Sequence, residues 1–502
     1  MTDANLPKDT HSFWRETGNL NSFHTLNNDV EAGIAVVGGG IAGILTAYTL
    51  AKEGKQVVLL EGHDMLSGTT GYTTAKLSAQ HQLIYDDLIN RYGQEHAKLY
   101  YQANMEGIAY IKEISDEHQI DCQLKEQDAF VYTQDKNKLE AFEKEAEAYK
   151  KLGIHGGFLK DLPVNLDIEA AVQIEKQAQF HPVDFLNGVL KILQDWDVDI
   201  YEHALVTEVH TDEQGEKVEL KTKDGQTITC NQAVLATHYP VLDPDKFYTN
   251  MNPEISYALA LKTDKEHPDG MYINEDLPKR TFRKMEANGE NYLLVGGQSH
   301  PIGDDHSELE RYEDLHEFAK DTFGETDVVY RWSSHDLMTK DRVPLIGQVD
   351  PDYPNIYTLT GCSKWGLANA AAGSRLIADL ISQKDNRYKK IYEPHRTIPD
   401  IRTGEVKSDE GNDQVSQLNL SKKPEELKIN EATIIEKDDK QIGVYKDQDE
   451  QLHYLNLTCT HLGCALNWNN GDKTWDCPCH GSRFNATGEV IEGPALQDLA
   501  NE

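Results

Sequence analysis

The first strongly patterned segment of the chain places apolar runs on either side of a glycine turn. Residues 33–37 (GIAVV) form a short β-branched run, which predicts a buried strand. The run leads into glycines and then into ILTAYTLAKEG, whose apolar spacing favours a helix. QVVLLE follows as a second buried strand that ends at Glu61. The pattern therefore predicts a strand–turn–helix–strand unit.

The later pattern alternates between helical and strand-rich stretches. The predicted elements are charged helices over 84–152 with a strand at Ala129–Thr133, short strands over 200–236 with a hairpin at Asp224–Gly225, strands over 254–300, a helix at about 307–323, and a strand, glycine turn and helix over 355–382. From about residue 429 short alternating strands return, which predicts a small all-β module.

Composition and charge narrow the class of protein. The chain has 502 residues, is 38% hydrophobic and carries a formal net charge of −36. This charge argues against binding to nucleic acid or to an anionic membrane surface. The chain has no apolar run long enough for a transmembrane segment, and its first residues lack a secretory signal. We therefore expect a cytoplasmic protein of two or three domains.

The glycine turn has the spacing of a dinucleotide-binding site. Gly38, Gly40 and Gly43 form G-x-G-x-x-G directly between a predicted strand and a predicted helix. In such a turn the glycines permit a tight bend, close approach to a pyrophosphate and close packing of helix on strand. Glu61 at the end of the second strand is placed to accept hydrogen bonds from a ribose. The motif does not by itself distinguish FAD from NAD.

The segments GGGIAGILTAYTLAKEGKQVVLLE and SGTTGYTTAKLSAQH resemble the D-amino-acid oxidase-like (DAO) group of FAD-dependent oxidoreductases. NQAVLATHYP and NIYTLTGCSKWGLANAAAGSRLIADLI resemble later FAD-contacting segments of the same group. The resemblance implies that FAD is held by the glycines, by Glu61 and by further residues, with a looser match at Lys76. These further residues are Ser67, Gly68, Thr69, Thr70, Gly71, Val206, Gly361, Gly366 and Leu367.

Cysteines and histidines crowd into a short segment near residue 470. Two loops each offer one Cys and one His, namely Cys459 with His461 and Cys477 with His480. A [2Fe–2S] centre with two thiolates on one iron and two imidazoles on the other needs this ligand set. A structural zinc site is the alternative, although zinc takes four ligands and the segment offers six.

The full C-T-H-L-G-C and C-P-C-H-G-S motif resembles Rieske proteins. The resemblance implies that the two other cysteines, Cys464 and Cys479, form a disulfide that braces the loops. It also implies that Ser482 donates a hydrogen bond to the cluster. Phe484 stands where high-potential members carry a tyrosine, so we expect an intermediate potential.

These resemblances predict a Rossmann-like α/β FAD-binding domain with an interleaved α+β substrate domain and a small all-β Rieske domain. The predicted bounds are a lead-in at 1–32, the oxidoreductase at 33–383, a linker at 384–428 and the Rieske domain at 429–502. Within the oxidoreductase, we assign 33–83, 160–245 and 335–383 to the FAD-binding part, and 84–159 and 246–334 to the substrate part.

The combination predicts an enzyme that oxidises an amine or amino acid and passes electrons through FAD and the cluster to an external carrier protein or quinone. The alternative is an electron-transfer protein without an organic substrate. No catalytic residue is assigned. Six residues lie in segments that can face the flavin, although for each a packing or surface role is favoured over a catalytic one; they are Tyr257, Arg283, Trp332, His335, Asp336 and Arg342. For Trp365, a place near the flavin ring and a packing role are equally favoured. A Rieske oxygenase is disfavoured, because its mononuclear iron would have to use His300, His306 and His316 near Asp304 and Asp305.

Overall fold

The computed structural model describes residues 6–212, 215–244, 246, 251–263, 267, 269–304, 306–324, 327–399, 422–438 and 440–502. Its helices are α1 Phe13–Thr17, α2 Ile41–Lys52, α3 Tyr85–Tyr92, α4 Gln94–Glu117, α5 Leu139–Leu152, α6 Pro182–Asp195, α7 Glu308–Phe323, α8 Gly366–Ile381 and α9 Lys389–Tyr392. Within the described residues, no helix is both long and apolar enough to cross a membrane.

The strands of the first two sheets are β1 His24–Thr25, β2 Val30–Val37, β3 Val57–Leu60, β4 Lys76–Leu77, β5 Lys125–Thr133, β6 Gly156–Leu159, β7 Ala170–Gln179, β8 Asp199–Glu202, β9 Val206–Thr211, β10 Val218–Thr222, β11 Thr227–His238, β12 Met251–Lys262, β13 Met271–Asn274, β14 Arg280–Ala287, β15 Glu290–Pro301, β16 Asp327–Thr339, β17 Leu345–Gln348 and β18 Ile356–Thr360. The strands of the small domain are β19 Ala432–Lys437, β20 Lys440–Lys446, β21 Leu452–Asn456, β22 Asn467–Asn469, β23 Thr474–Asp476, β24 Arg483–Asn485 and β25 Val490–Glu492.

The first sheet confirms the α/β prediction. Its order is β1-β8-β3-β2-β11-β10-β9, and β18 and β17 continue it from β11. Six strands of this sheet are parallel, namely β1, β8, β3, β2, β11 and β18. The other three, β9, β10 and β17, pair antiparallel with their neighbours. The predicted strand–turn–helix–strand unit is β2, α2 and β3. Ligands of such sheets bind beyond the carboxyl ends of the parallel strands.

The second sheet includes strands from outside the residue ranges that we predicted for the substrate part. Its order is β16-β12-β15-β14-β13-β5-β7-β4, with β6 beside β7. The strands β7 and β4 lie in this sheet, although we assigned their residues to the FAD-binding part. Apolar alternation marks a strand as half-buried but does not say which sheet it joins.

The residues before β2 are more than a polar lead-in. Phe13 and Trp14 of α1 are fully buried, and the indole Nε1 of Trp14 donates a hydrogen bond to the carbonyl of Thr73 at 2.6 Å. Ser12 donates a hydrogen bond to the carbonyl of Gly71. The helix therefore braces the loop after β3, which the DAO resemblance places against the flavin.

The small domain has a three-stranded sheet, β19-β20-β21, and a four-stranded sheet, β22-β23-β24-β25, as expected of an all-β module. The described start of the predicted linker is packed against the first domain, because Arg396 forms an ion pair with the buried Asp341 at 2.8 Å. Residues 400–421 of the predicted linker lie outside the described residues.

Candidate functional site

The glycine turn after β2 has close contacts that leave no room for side chains. Gly38 has a positive φ of 117°, and a methyl group there would lie 2.3 Å from the carbonyl oxygen of Ala236. A methyl group at Gly43 would lie 1.8 Å from the carbonyl oxygen of Gly38. The first contact fixes the turn against β11, and the second fixes α2 against β2.

The carboxylate of Glu61 lies against the same turn. Its Oε2 accepts a hydrogen bond from the amide of Gly39 at 2.5 Å, and its Oε1 accepts one from the amide of His63 at 2.8 Å. Burial raises the pKa of Glu61, while these amide hydrogen bonds oppose the rise. The side chain is thus held at the end of β3, where a ribose would lie.

The loop after β3 is tied to both neighbouring walls. Thr70 Oγ1 accepts a hydrogen bond from the amide of Ile41 at 3.1 Å, at the start of α2. Thr69 Oγ1 donates one to the carbonyl of His335 at 3.0 Å, on β16. The loop therefore joins the first sheet to the second.

A cavity of about 590 Å³ connects these groups. The predicted dinucleotide-binding residues in its wall are Gly38, Gly40, Glu61, Ser67, Gly68, Thr69, Thr70, Val206, Gly361, Gly366 and Leu367. Gly43 and Gly71 are not in the wall. A methyl group at Gly71 would lie 2.1 Å from the carbonyl oxygen of Leu66, so this glycine shapes the loop by close packing.

The small domain closes one side of the cavity. Residues 480–481, 491–494 and 496 belong to its wall, together with the glycine turn and the loop after β3. One of them, His480, is a predicted cluster ligand. The dinucleotide site and the Cys/His loops therefore meet at one cavity.

The two Cys/His loops have matching backbone geometry. In the first, the amide of Cys459 donates to the carbonyl of Cys464 at 2.8 Å, and the amide of Gly463 donates to Cys459 at 3.0 Å. In the second, the amide of Cys477 donates to Ser482 at 2.8 Å, and the amide of Gly481 donates to Cys477 at 3.0 Å. Each loop thus closes in the same way around its first Cys, while the His follows that Cys by two residues in the first loop and by three in the second.

The side chains of these loops converge. The rings of His461 and His480 lie 5.0 Å apart, centroid to centroid. Cys459 and Cys477 share a hydrogen bond, which lowers the pKa of Cys459 and raises the pKa of Cys477. Nδ1 of His461 is buried and has no hydrogen-bond partner among the described residues. An unsatisfied imidazole nitrogen beside two adjoining sulfurs fits a two-Cys, two-His cluster.

The disulfide prediction is confirmed. The sulfurs of Cys464 and Cys479 are bonded at 2.01 Å and join the two loops. The hydroxyl of Ser482 accepts a hydrogen bond from the amide of Ala495 at 3.0 Å and also lies beside the thiol of Cys459. Phe484 is fully buried in the core of the small domain.

Sequence reasoning missed the contacts that join the two domains. The ring of Tyr239 lies 5.6 Å from that of His461 and 5.9 Å from that of His480. His335 Nδ1 lies 3.2 Å from the carbonyl oxygen of Gly481, within hydrogen-bonding distance. Tyr239 stands in the segment NQAVLATHYP that the sequence analysis assigned to the flavin, but no local signal pointed to the Cys/His loops.

Most of the residues expected near the flavin do reach the cavity. Its wall includes Tyr257, Trp332, His335, Asp336, Arg342 and Trp365. Arg283 lies behind the wall, where its guanidinium covers the ring of Trp14 at 5.1 Å. Burial raises the pKa of Asp336 to about 7, although Lys364 opposes the rise.

Lys76 carries a buried amino group into the cavity wall. It donates a hydrogen bond to Thr281 Oγ1 at 2.5 Å. Burial, with a smaller contribution from the nearby Arg283, lowers its pKa to about 7. Within the described residues, no carboxylate forms an ion pair with Lys76 or Arg283. This side of the cavity therefore favours a neutral or anionic ligand group.

The residues considered for a mononuclear iron lie in different surroundings. His300 stacks on Tyr257 at 5.8 Å and lies within hydrogen-bonding distance of its hydroxyl. Asp304 forms an ion pair with Arg311. His306 is exposed and His316 is buried on α7. Asp305 lies outside the described residues.

Two protein families match separate parts of the chain. Residues 33–380 match the family of FAD dependent oxidoreductases (DAO), and residues 418–501 match the Rieske [2Fe-2S] domain.

Similar proteins share one or both parts. A protein of Bacillus subtilis (strain 168), named as a Rieske 2Fe-2S iron-sulfur protein, YhfW, is 39% identical over 99% of both chains. Gamma-glutamylputrescine oxidoreductase of Escherichia coli (strain K12) is 25% identical over 79% of this chain and 95% of its own. Among solved structures, glycine oxidase from Geobacillus kaustophilus superimposes with a TM-score of 0.63 at 18% identity, covering 74% of this chain and all of its own.

Proposed function

The chain belongs to the family of FAD dependent oxidoreductases (DAO) and carries a Rieske [2Fe-2S] domain, and on this basis we propose that it oxidises an amine or amino acid and passes the electrons out through the Cys/His loops. The DAO domain binds FAD and the Rieske domain binds a [2Fe–2S] cluster. When bound, FAD takes two electrons from an organic substrate and the cluster carries one electron at a time.

The proposed FAD site follows the cavity wall. Gly38, Gly40 and the start of α2 would receive the pyrophosphate, because unpaired amides and the positive end of a helix dipole favour phosphate. Glu61 would receive the ribose. Val206 would adjoin the adenine and the residues from Ser67 to Thr70 the flavin. Gly361, Gly366 and Leu367 would place the start of α8 toward the flavin.

The proposed cluster ligands are Cys459, His461, Cys477 and His480. The hydrogen-bonding contact between Cys459 and Cys477 and the unsatisfied Nδ1 of His461 support this assignment. The disulfide between Cys464 and Cys479 holds the two loops together.

The substrate class rests on the relatives and on the cavity. Gamma-glutamylputrescine oxidoreductase and glycine oxidase are named for the oxidation of an amine and an amino acid. The buried amino group of Lys76, with Arg283 behind it, would suit a substrate that carries a carboxylate or another anionic group. Trp332 and Tyr257 supply apolar wall that excludes water from the reacting bond.

One observation carries the proposal: residues of both domains line the same cavity, with His480 beside the dinucleotide site. A separate electron-transfer domain would need a diffusing partner to bring the two sites together. Here the chain itself brings them together.

The test is an anaerobic titration of purified protein with amines and amino acids, followed by visible absorbance and electron paramagnetic resonance (EPR). We expect loss of flavin absorbance and then the signal of a reduced [2Fe–2S] cluster. Cys459→Ser is the matched variant, which should lose the cluster signal and keep flavin bleaching. If no compound in a broad panel bleaches the flavin while a reduced carrier protein or quinol reduces the cluster, an electron-transfer function without an organic substrate replaces this proposal.

A further inference from the structure

The ring of Tyr239 lies in the cavity wall against the Cys/His loops, next to His480, which also lines the cavity. It adjoins both imidazoles, at 5.6 Å from His461 and 5.9 Å from His480, with interplanar angles of 79° and 76°. Tyr239 is also part of the cavity wall and is only 8% exposed. One aromatic ring therefore touches the two proposed iron ligands and the proposed FAD site.

The backbone around Tyr239 is held in place. Tyr239 directly follows β11, which pairs with β2 and β18 in the centre of the first sheet. Thr237 Oγ1 donates a hydrogen bond to the carbonyl of Tyr239 at 2.6 Å. The ring thus projects from the sheet edge where parallel strands place their ligands.

The small domain is also held in place. Asp472, on the loop before β23, accepts a hydrogen bond from the hydroxyl of Tyr312 at 2.9 Å and one from Ser333. The guanidinium of Arg331 donates to the carbonyl of Gly471 at 2.8 Å. These contacts are buried or partly buried, and burial strengthens polar interactions because water competes less for them. The imidazoles therefore face Tyr239 as part of the folded state.

We propose that Tyr239 is the electron route between the two cofactor sites. Electrons would then reach the Cys/His loops from the flavin bound in the cavity of the same chain. The inference rests on the proposed function above. Each passage moves one electron and reduces one ferric iron to ferrous iron. A two-electron oxidation in the cavity therefore needs two passages and two equivalents of an external one-electron acceptor. The two protons from the substrate and the reduced flavin are released to solvent.

An aromatic ring suits this role, because its π electrons provide a continuous path where aliphatic side chains leave only saturated bonds. Phenylalanine at position 239 would keep the ring, and leucine would remove it. The pair of variants therefore separates the ring from the hydroxyl.

The experiment uses the full chain loaded with FAD and iron–sulfur cluster. A light pulse reduces the flavin anaerobically with EDTA as the sacrificial electron donor, and absorbance follows the reduction of the cluster. We expect a rate independent of protein concentration, unchanged within about twofold in Tyr239→Phe and slowed by about tenfold or more in Tyr239→Leu, because the protein sets the path between its cofactors. Tyr454→Leu, at a half-buried tyrosine on β21, is the matched control and should keep the parent rate.

A second readout reports the cluster itself. EPR g-values and the reduction potential of chemically reduced protein should be the same in parent, Tyr239→Phe and Tyr239→Leu. An unchanged cluster with a slowed transfer supports the route. An unslowed Tyr239→Leu overturns it, and so does a rate that rises with protein concentration. If the leucine variant fails to hold iron, Tyr239→Met, which also lacks the ring, decides: parental spectra with a slowed rate support the route, and parental spectra with a parental rate overturn it.

The outcomes separate the two proposals. If the parent protein shows no FAD signal or no cluster signal, the proposed function is wrong. If the parent protein shows both signals and an amine bleaches its flavin, but Tyr239→Leu does not slow cluster reduction, only the proposed route through Tyr239 is wrong.

Discussion

The guanidinium Nη1 of Arg331 donates a hydrogen bond to the carbonyl of Gly471 at 2.8 Å and so joins β16 of the first domain to the loop before β23. Its other nitrogens donate to the carbonyls of Pro7 and Lys8, at 2.7 and 3.1 Å. One side chain therefore gathers the start of the chain, the second sheet and the small domain. Polar contacts that range from buried to partly buried dock the two domains.

Asp472 is the centre of this docking, and we expect Asp472→Ala to weaken it. The substitution leaves the hydroxyls of Tyr312 and Ser333 buried without their acceptor and removes one ion-pair partner of Arg483. The expected loss is about 2–4 kcal/mol in the free energy of unfolding. Thermal unfolding followed by cluster absorbance measures it, and we expect the transition of the small domain to separate from that of the first domain.

Asp449→Ala is the matched control, because Asp449 lies exposed in a turn of the same small domain. It should leave unfolding unchanged. Equal melting of parent and Asp472→Ala would show that the polar network does not hold the domains together.

Gly43→Ala tests the close packing of α2 on β2. The added methyl group would lie 1.8 Å from the carbonyl oxygen of Gly38, so helix and turn must move apart. We expect a loss of about 1–3 kcal/mol in stability. FAD content should fall as well, because the turn that would receive the pyrophosphate shifts. The ratio of flavin to protein in purified samples, with the unfolding temperature, measures both effects.

Gly54→Asn serves as the comparison for Gly43→Ala. Gly54 has a φ of 78° with open space around it, and asparagine tolerates this backbone conformation. This variant should keep its flavin. Full flavin content in Gly43→Ala would contradict the packing argument.

The local parts of the site could be predicted from the sequence because neighbouring residues create them. Each of these parts lies within one or two neighbouring strands, helices or loops. They are the G-x-G-x-x-G turn, Glu61 and the two Cys/His loops. The contact of Tyr239 with His461 could not be predicted, because it depends on how two distant domains dock. The signal at Tyr239 is its place directly after a strand that ends at the cavity, and that place is not specific to one partner.

The fold was predicted in outline for a related reason. Strong periodicity predicted β2, α2, β3 and the helix at α7. The five residues of α1 are too few to show helical periodicity, so their buried aromatic pair was missed. The alternation in β7 correctly marks a half-buried strand, but sheet membership is decided by its pairing with β5 and β4.

The disulfide should stabilise the small domain by constraining its unfolded chain. The bonded cysteines are separated by 15 residues, and a loop of this length corresponds to about 3 kcal/mol. We expect Cys464→Ser combined with Cys479→Ser to lower the stability of the cluster-loaded small domain by about that amount. Chemical unfolding followed by cluster absorbance measures the loss. A thiol reductant should destabilise the parent in the same way and leave the double variant unaffected. If reductant destabilises both equally, it acts on the cluster rather than on the disulfide.

Lys76 should make stability depend on pH between about 7 and 10.5. Burial lowers its pKa from 10.5 to about 7 in the folded chain, so in this range the unfolded chain binds a proton that the folded chain does not. Stability therefore rises with pH, by up to about 1.4 kcal/mol per pH unit for one proton. Below pH 7 the lysine is charged in both states, and the full cost of burying that charge remains.

Lys76→Met removes this titration, so the variant should be more stable than the parent near pH 7, and the difference should shrink as pH rises toward 10. Urea unfolding of FAD-stripped protein measures the two curves without any pH dependence from ligand binding. Lys55→Met, at an exposed lysine just after α2, should run parallel to the parent at every pH. Parallel curves for Lys76→Met would mean that the amino group of Lys76 keeps its charge in the folded chain. The cavity would then present a second permanent cation beside Arg283, and an anionic substrate group would be needed to balance it.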